Sequence, residues 1–174
     1  MDLGLDGRRA LVTGASRGIG RAVALALAAE GAKVTLVARG EEGLRSALKE
    51  AGGEGKGHEL VTADLMEPGT PALVASEALE RHGCVDVVVN NVGGPLGLKD
   101  PVGPVEDWQR VWMFNMGVAV EVNSVLVPEM VKKKWGRVVH VSSISASSIR
   151  GATPYASAKA ALNAYVKGVG RSLA

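Results

Sequence analysis

Arg9-Ala-Leu-Val-Thr13 runs directly into Gly14-Ala-Ser-Arg-Gly18-Ile-Gly20, and that into Arg21-Ala-Val-Ala-Leu-Ala-Leu-Ala-Ala-Glu30. The first segment is a short apolar run suited to a buried strand. The last is built from strong helix formers and is closed by Gly31. Strand, glycine loop and helix in that order set backbone N–H groups and the positive end of a helix against one point, where a phosphate would sit. Gly14, Ser16, Arg17, Gly18, Ile19 and Gly20 are therefore candidate dinucleotide contacts. The spacing is Gly-x-x-x-Gly-x-Gly, and glycines also serve plain tight turns, so the flanking elements carry the argument.

Working outward, Lys33-Val-Thr-Leu-Val-Ala-Arg39 supplies a second strand and completes a βαβ unit. An acidic residue at its end would accept from ribose hydroxyls, whereas a cation would meet a 2′-phosphate. Arg39, with Arg17 nearby, favours NADP(H) over NAD(H), although Glu41 or Glu42 remain within reach of a ribose. A helix is expected over 42–51, a flexible turn over 52–57 and a third strand over 59–62. Asp64 follows at that strand's end, where a doubly wound sheet binds ligands; it suits an adenine amino group and equally a turn or helix cap. Thr70-Pro71 opens a helix running to about His82. Val85–Val89 reads as a buried strand, and Asn90-Asn-Val-Gly-Gly94 follows it. Amides there can tie strand ends together, and glycines admit a ribose and nicotinamide, which makes Asn90 and Gly93 candidates.

Helices are expected over 106–115, with Val111 and Phe114 inward, and over 116–134, with Val120, Val127 and Val131 on the apolar face and Met130 nearby. Asn115 falls between them, the place of a kink or a satisfied interior amide. Arg137–Val141 is the fifth strand, and it empties into a run of small hydroxyl residues. The last helix is expected to start with Thr153 as N-cap and Pro154 at the first helical position, and to run to Ala174. Tyr155 and Lys159 then share one helix face. A phenol that gives up a proton near neutrality needs its pKa lowered, and a neighbouring ammonium does that. Tyr-x-x-x-Lys alone arises often by chance. The alternation of five apolar strands with helices, without repeat or linker, argues one domain over 1–174 with a parallel three-layer α/β/α sheet.

Composition narrows the function. The chain has 174 residues, 47% hydrophobic and 22% charged, with a net charge of only +2, so nucleic acid is not an expected partner. The single cysteine, Cys84, permits no internal disulfide, and its apolar neighbours suggest a buried position. The three histidines and Cys84 have no metal-like spacing, so no metal is expected, and no Gly-x-Ser-x-Gly elbow marks a hydrolase. No apolar run reads as long enough to span a membrane, and residues 1–7 lack the parts of a signal peptide. A cytoplasmic protein is the default expectation.

Taken together, Thr13-Gly-Ala-Ser-Arg-Gly-Ile-Gly20, Asp64, Asn90-Asn-Val-Gly93, Asn115, Ser142-Ser143 and Tyr155-Ala-Ser-Ala-Lys159 resemble the short-chain dehydrogenase/reductase family in its smaller, single-domain branch. The resemblance runs from about Leu5 to the end and implies a Rossmann-type doubly wound sheet. It further implies that Tyr155 protonates a carbonyl oxygen as hydride arrives from the nicotinamide. Lys159 would bind the ribose and stabilise the tyrosinate, and Asn115 would support a water-linked proton relay. A serine after the fifth strand would hold the substrate oxygen: counting from the strand selects Ser143, and counting back from Tyr155 selects Ser142. Ser143 is preferred, because a strand fixes position more firmly than a loop.

An NADP(H)-dependent oxidoreductase acting on a carbonyl or secondary alcohol is the implied function, with 3-oxoacyl carrier-protein reductases as the expected relatives. A homo-oligomer, dimer or tetramer, formed through the last two long helices, is implied as well. Members of the family usually continue for several tens of residues, adding two strands and a substrate-covering segment. The chain is thus expected to be C-terminally truncated, with a valine-rich fifth strand exposed at the sheet edge. The contrasting expectation is a nucleotide-binding sensor or inactive scaffold.

Overall fold

A computed structural model describes residues 3–148 and 151–173. Five parallel strands, β1 (Arg9–Thr13), β2 (Lys33–Ala38), β3 (Glu59–Thr62), β4 (Val87–Asn90) and β5 (Arg137–His140), lie in the order β3-β2-β1-β4-β5. The order reverses beside β1, so the ends of β1 and β4 splay their loops apart and leave a crevice. This is the Rossmann-type α/β/α arrangement expected from the sequence.

Strand alternation divides the core in two. Val12, Val34, Leu36 and Val89 face α1 (Gly18–Ala29) and α2 (Glu41–Glu50), whose Ala24, Leu44, Ala47 and Leu48 bury against them. Leu11, Val37 and Val88 face α3 (Thr70–His82) and α5 (Val118–Lys133) through Val74, Ala75, Ala78, Val122 and Leu126. β1 is buried on both faces, as a parallel strand with helices on both sides must be.

At the opposite end of the sheet from the crevice, buried Asp86 draws several basic groups together. It accepts from the Arg9 N–H (2.9 Å) and Lys133 Nζ (2.5 Å) and lies 3.5 Å from Arg8. These partners hold its carboxyl below the usual range despite the opposing effect of burial. Trp135 lies between Arg8 and Arg137, whose guanidinium carbons are 3.9 and 4.8 Å from its ring centre. Cys84 is half-buried, not fully buried as expected, and its sulfur is 4.0 Å from Asp86.

Four expectations need correction. First, α1 begins at Gly18, inside the glycine loop, with Gly18 itself at φ +58° and the Arg21 N–H donating back to the Arg17 carbonyl at 3.3 Å. Second, the segment 105–133 is one continuous helix: α4 (Val105–Trp112), a π-helical turn (Met113–Gly117) and α5. The wider turn rotates α5 about the helix axis, so Val118, Val122, Leu126 and Met130 form the buried stripe and Val131 is exposed. Third, that 29-residue helix is long and apolar enough to cross a membrane by length and composition, although no single apolar run in the sequence is. One stripe of it, Val118, Val122, Leu126 and Met130, packs on the sheet and α3, while Val105, Trp112 and Val131 stay exposed. Fourth, α6 (Thr153–Ser172) has Ala152 at its N-cap; Thr153 makes no side-chain cap and is already helical, and Leu173 closes the helix. The sequence expectation for Ala174 lies outside the described residues.

Candidate active site

A cleft of about 810 Å³ opens along the C-terminal ends of the strands, bordered by the glycine loop, the ends of β2 and β3, Asn91–Gly93, Phe114, Val141–Ser142 and α6. Its wall beside β1 is shaped by close approach. Gly14 has φ +68°, and a Cβ there would lie 2.7 Å from Asn91 Nδ2. A Cβ on Gly20 would overlap the Gly14 carbonyl and lie 2.5 Å from the same amide nitrogen. Asn91 explains that crowding: its Nδ2 donates to the Thr13 carbonyl at 3.0 Å, while the Thr13 hydroxyl accepts from Asn91 N–H and Val92 N–H. The amide tie expected after β4 is therefore made by Asn91. The β1 and β4 ends are locked to each other, and the N-terminus of α1 points into the space between them.

Two cations stand at one end. Arg17 and Arg39 both border the cleft, with no acidic residue at the end of β2. Arg39 is well exposed and 3.6 Å from Asp64, whose other oxygen accepts from Met66 N–H. Glu41 is engaged by Arg45, while Glu42 borders the cleft.

At the other end Tyr155 and Lys159 project from one face of α6, with Lys159 Nζ 5.9 Å from the Tyr155 ring centre. Lys159 is 3% exposed, and its ammonium donates to the Val141 carbonyl at 2.8 Å. Burial disfavours its charged form and lowers its pKa to about 8. Asn115 occupies the π turn. Its Nδ2 donates to the Val111 and Gly94 carbonyls at 2.8 Å each, and its Oδ1 accepts from Gly94 N–H at 2.9 Å. A Cβ on Gly93 would lie 2.6 Å from Asn115 Oδ1 and 2.9 Å from Lys159 Nζ, so only glycine leaves this corner open.

The cleft thus gathers Gly14, Ser16, Arg17, Gly18, Ile19, Arg39, Asp64, Gly93, Tyr155 and Lys159 from the sequence candidates. Gly20 sits behind the loop as a packing position. Asn90 turns away from the cleft, and its Nδ2 donates to Asn123. Ser142 borders the cleft, and its hydroxyl donates to Asn163 Oδ1 at 2.7 Å. Ser143 Oγ instead accepts from Ser145 N–H and caps a short 3-10 turn, 144–146. Asn91 and Phe114 were not among the candidates. Asn91 stood in the same Asn-Asn pair as Asn90, and strand alternation from β4 was the signal that separates them.

The comparisons agree with this geometry. The family model described as short chain dehydrogenase matches residues 8–174. The chain belongs to the short-chain dehydrogenase family. It is 34% identical to the 3-oxoacyl-(acyl-carrier-protein) reductase FabG of Escherichia coli over 99% of this chain and 70% of that protein. An uncharacterized oxidoreductase of Mycobacterium tuberculosis is also 34% identical, over 94% of this chain and 63% of the relative. A 3-oxoacyl (acyl-carrier-protein) reductase from Agrobacterium tumefaciens, solved with NADP bound, superposes with a TM-score of 0.89 at 32% identity, covering 97% of this chain and 66% of that one. The chain therefore spans about two thirds of the length of the relatives it matches.

A nicotinamide dinucleotide fits the residues present. The crowded corners at Gly14, Gly20 and Gly93 leave a backbone-lined trough, the α1 N-terminus faces it, and cations and the Tyr155/Lys159 pair occupy its two ends. Among the described residues no cluster of His, Cys, Asp or Glu is placed to hold a metal ion.

Proposed function

We propose that the protein is an NADP(H)-dependent oxidoreductase that interconverts a carbonyl and a secondary alcohol, with a 3-oxoacyl thioester as the substrate class to test first. The observation that carries this reading is the convergence of Tyr155 and buried Lys159 at one end of a trough whose other end is cationic. Gly14, Ser16, Arg17, Gly18 and Ile19 would hold the pyrophosphate and Arg39 the 2′-phosphate, with Asp64 at the adenine and Gly93 at the ribose. When bound there, the reduced nicotinamide supplies a hydride.

This chain's own residues manage the oxygen. The Tyr155 hydroxyl gives its proton to the carbonyl oxygen, and the Lys159 ammonium stabilises the phenolate left behind. Asn115, fixed by three hydrogen bonds, holds the π turn open beside Lys159 and stands next to any water that restores the proton. A serine after β5 steadies the substrate oxygen; β5 register selects Ser143, and position on the cleft wall selects Ser142. FabG and the Agrobacterium reductase, both named for 3-oxoacyl-(acyl-carrier-protein) reduction, support the substrate class.

Exposed Trp112, Val131 and Val166 on the long helices, with Leu173 at the end of α6, support a homo-oligomer, which light scattering checks. A cytoplasmic setting accords with the packing of helix 105–133 on the sheet. The central test is NADPH oxidation in the presence of a 3-oxoacyl thioester or a simple ketone. Turnover with NADPH in preference to NADH is expected. NADPH binding without carbonyl-dependent oxidation would instead identify a nucleotide-binding scaffold.

A further inference from the structure

Behind the cleft, on the side of the sheet that faces α5 and α6, lies a polar cluster that no step of the proposed reaction uses. Asn90 Nδ2 donates to Asn123 Oδ1 at 3.0 Å. The Asn123 amide in turn meets the Tyr165 hydroxyl at 3.1 Å and His140 Nε2 at 3.3 Å. The Tyr165 ring stands edge-on to His140, at 86° and 5.8 Å between centres. Asn123 therefore has both its oxygen and its nitrogen engaged. Two atoms are not engaged: Asn90 Oδ1 and His140 Nδ1 are buried and have no partner among the described residues.

Those two atoms belong together. Asn90 and His140 are register partners on β4 and β5, so their side chains leave the sheet on the same face and side by side. They are also complementary. With Asn123 donating to Nε2, the imidazole proton sits on Nδ1, leaving one unmet donor opposite one unmet acceptor. Turning both amides over reverses the roles and again leaves one donor and one acceptor. A buried polar pair of this kind is what an internal water molecule satisfies.

The cluster is adjacent to the reaction. Val141, the residue after His140, presents the carbonyl that holds the Lys159 ammonium, and its N–H donates to the Asn90 carbonyl at 3.0 Å. We propose that one ordered water bridges Asn90 Oδ1 and His140 Nδ1, and that His140, anchored by this water and Asn123, is a positioning residue that fixes the Val141 carbonyl on Lys159. The proposal rests on the role given to Lys159 above. His140 suits it because it stays neutral: burial, and then the Lys159 charge, lower its pKa to about 4. The titratable groups around Lys159 are Tyr155 on its own helix and His140 on β5, with Tyr165 beyond His140. Among the described residues no carboxylate pairs with it.

The test reads Lys159 directly, without nucleotide, by heteronuclear NMR of the side-chain ammonium in the full chain, assigned with Lys159→Met. His140→Asn keeps a polar group toward the water, His140→Gln keeps only the one toward Asn123, and His140→Leu removes both. The Lys159 midpoint is expected to hold in His140→Asn and to fall by about half a pH unit in His140→Gln and His140→Leu, as the ammonium loses its fixed acceptor. NADPH binding at a pH above the midpoint should weaken about threefold in step, since half a unit is a threefold change in protonation. A crystal structure should contain one water between Asn90 and His140. An empty gap there, or a wild-type Lys159 midpoint in His140→Gln, overturns the proposal; this comparison stands even where His140→Leu fails to fold. Absence of NADPH binding by the wild type would count against the nucleotide reading alone, because the NMR titration and the water do not depend on it.

Discussion

β1 and β5 are both short strands opening with arginine, Arg-Ala-Leu-Val-Thr against Arg-Val-Val-His, and have opposite surroundings. Residues 10–13 of β1 are at most 1% exposed, with β2 and β4 on either side and helices on both faces. Among the described residues β5 pairs only with β4, and it alternates exposed and half-buried residues, with Val139 at 48% exposure. The glycine loop after β1 is held by backbone packing and Asn91, whereas the segment after β5 is held by side-chain hydrogen bonds from Ser142, Ser143 and Lys159. Half of the cleft is thus a rigid nucleotide trough, and the other half is a polar assembly on a sheet edge. Damage to the first should remove binding, and damage to the second should remove rate.

The largest expected effect tests the second half of that statement. Tyr155→Phe should lower kcat about 10²- to 10⁴-fold while NADPH affinity, read by fluorescence titration, stays near wild type. A variant with normal turnover would break the acid assignment. Gly20→Ala tests the first half: the added methyl meets the Gly14 carbonyl and Asn91 and should cost about 1–3 kcal/mol of stability by overpacking. NADPH binding should be lost with it, measured by titration beside a urea melt.

Lys159 sets function against stability. Its folded pKa of about 8 lies below the ordinary 10.5, so below pH 8 the fold bears the full cost of a buried ammonium. Between about pH 8 and 10.5 the unfolded chain holds more protons, and this contribution to stability rises with pH. The span is worth about 3 kcal/mol. Lys159→Met should therefore be at least as stable as wild type at pH 7, lose activity, and lack the wild type's gain on raising the pH.

Two smaller effects sharpen the comparison. Ser142→Ala and Ser143→Ala, compared by kcat/KM, should separate a residue on the cleft wall from one that caps a turn; a loss of about tenfold or more marks the substrate-binding serine. Arg39→Ala should weaken NADPH about tenfold and leave NADH unchanged, as loss of one charge-assisted phosphate contact at an exposed site. Equal loss for both nucleotides would detach Arg39 from cofactor choice.

Strand order, the glycine loop and the Tyr155/Lys159 pairing were legible because each rests on local pattern: apolar runs, glycine spacing and an i,i+4 interval. The buried face of α5 was not, because a π turn adds a residue to the helical phase without any mark in composition. Thr153 carried an N-cap composition, yet the helix begins one residue earlier and its hydroxyl caps nothing. The distinction between Asn90 and Asn91 depended on where β4 ends, and strand ends are set by neighbouring strands. The pairing of Asn90 with His140 was invisible for a plainer reason: it joins residues fifty apart through sheet register. Cys84 looked apolar in sequence and lies beside a carboxylate, since its burial is decided by the Asp86 cluster.

The position of β1 has a further consequence for how the chain is made. Its partner on one side, β2, follows within about two dozen residues, but its partner on the other side, β4, ends only at Asn90. On a ribosome adding roughly 5–20 residues per second, about 3–10 s separate the emergence of the two. During that interval β1, whose residues 10–13 are buried in the finished protein, has an open edge next to β2. The Asp86 cluster then closes the other end of the sheet, because Arg8 and Arg9 wait for a carboxylate that arrives with β4. The same central placement that makes the nucleotide trough rigid in the finished protein makes the nascent chain depend on prompt delivery of a distant strand.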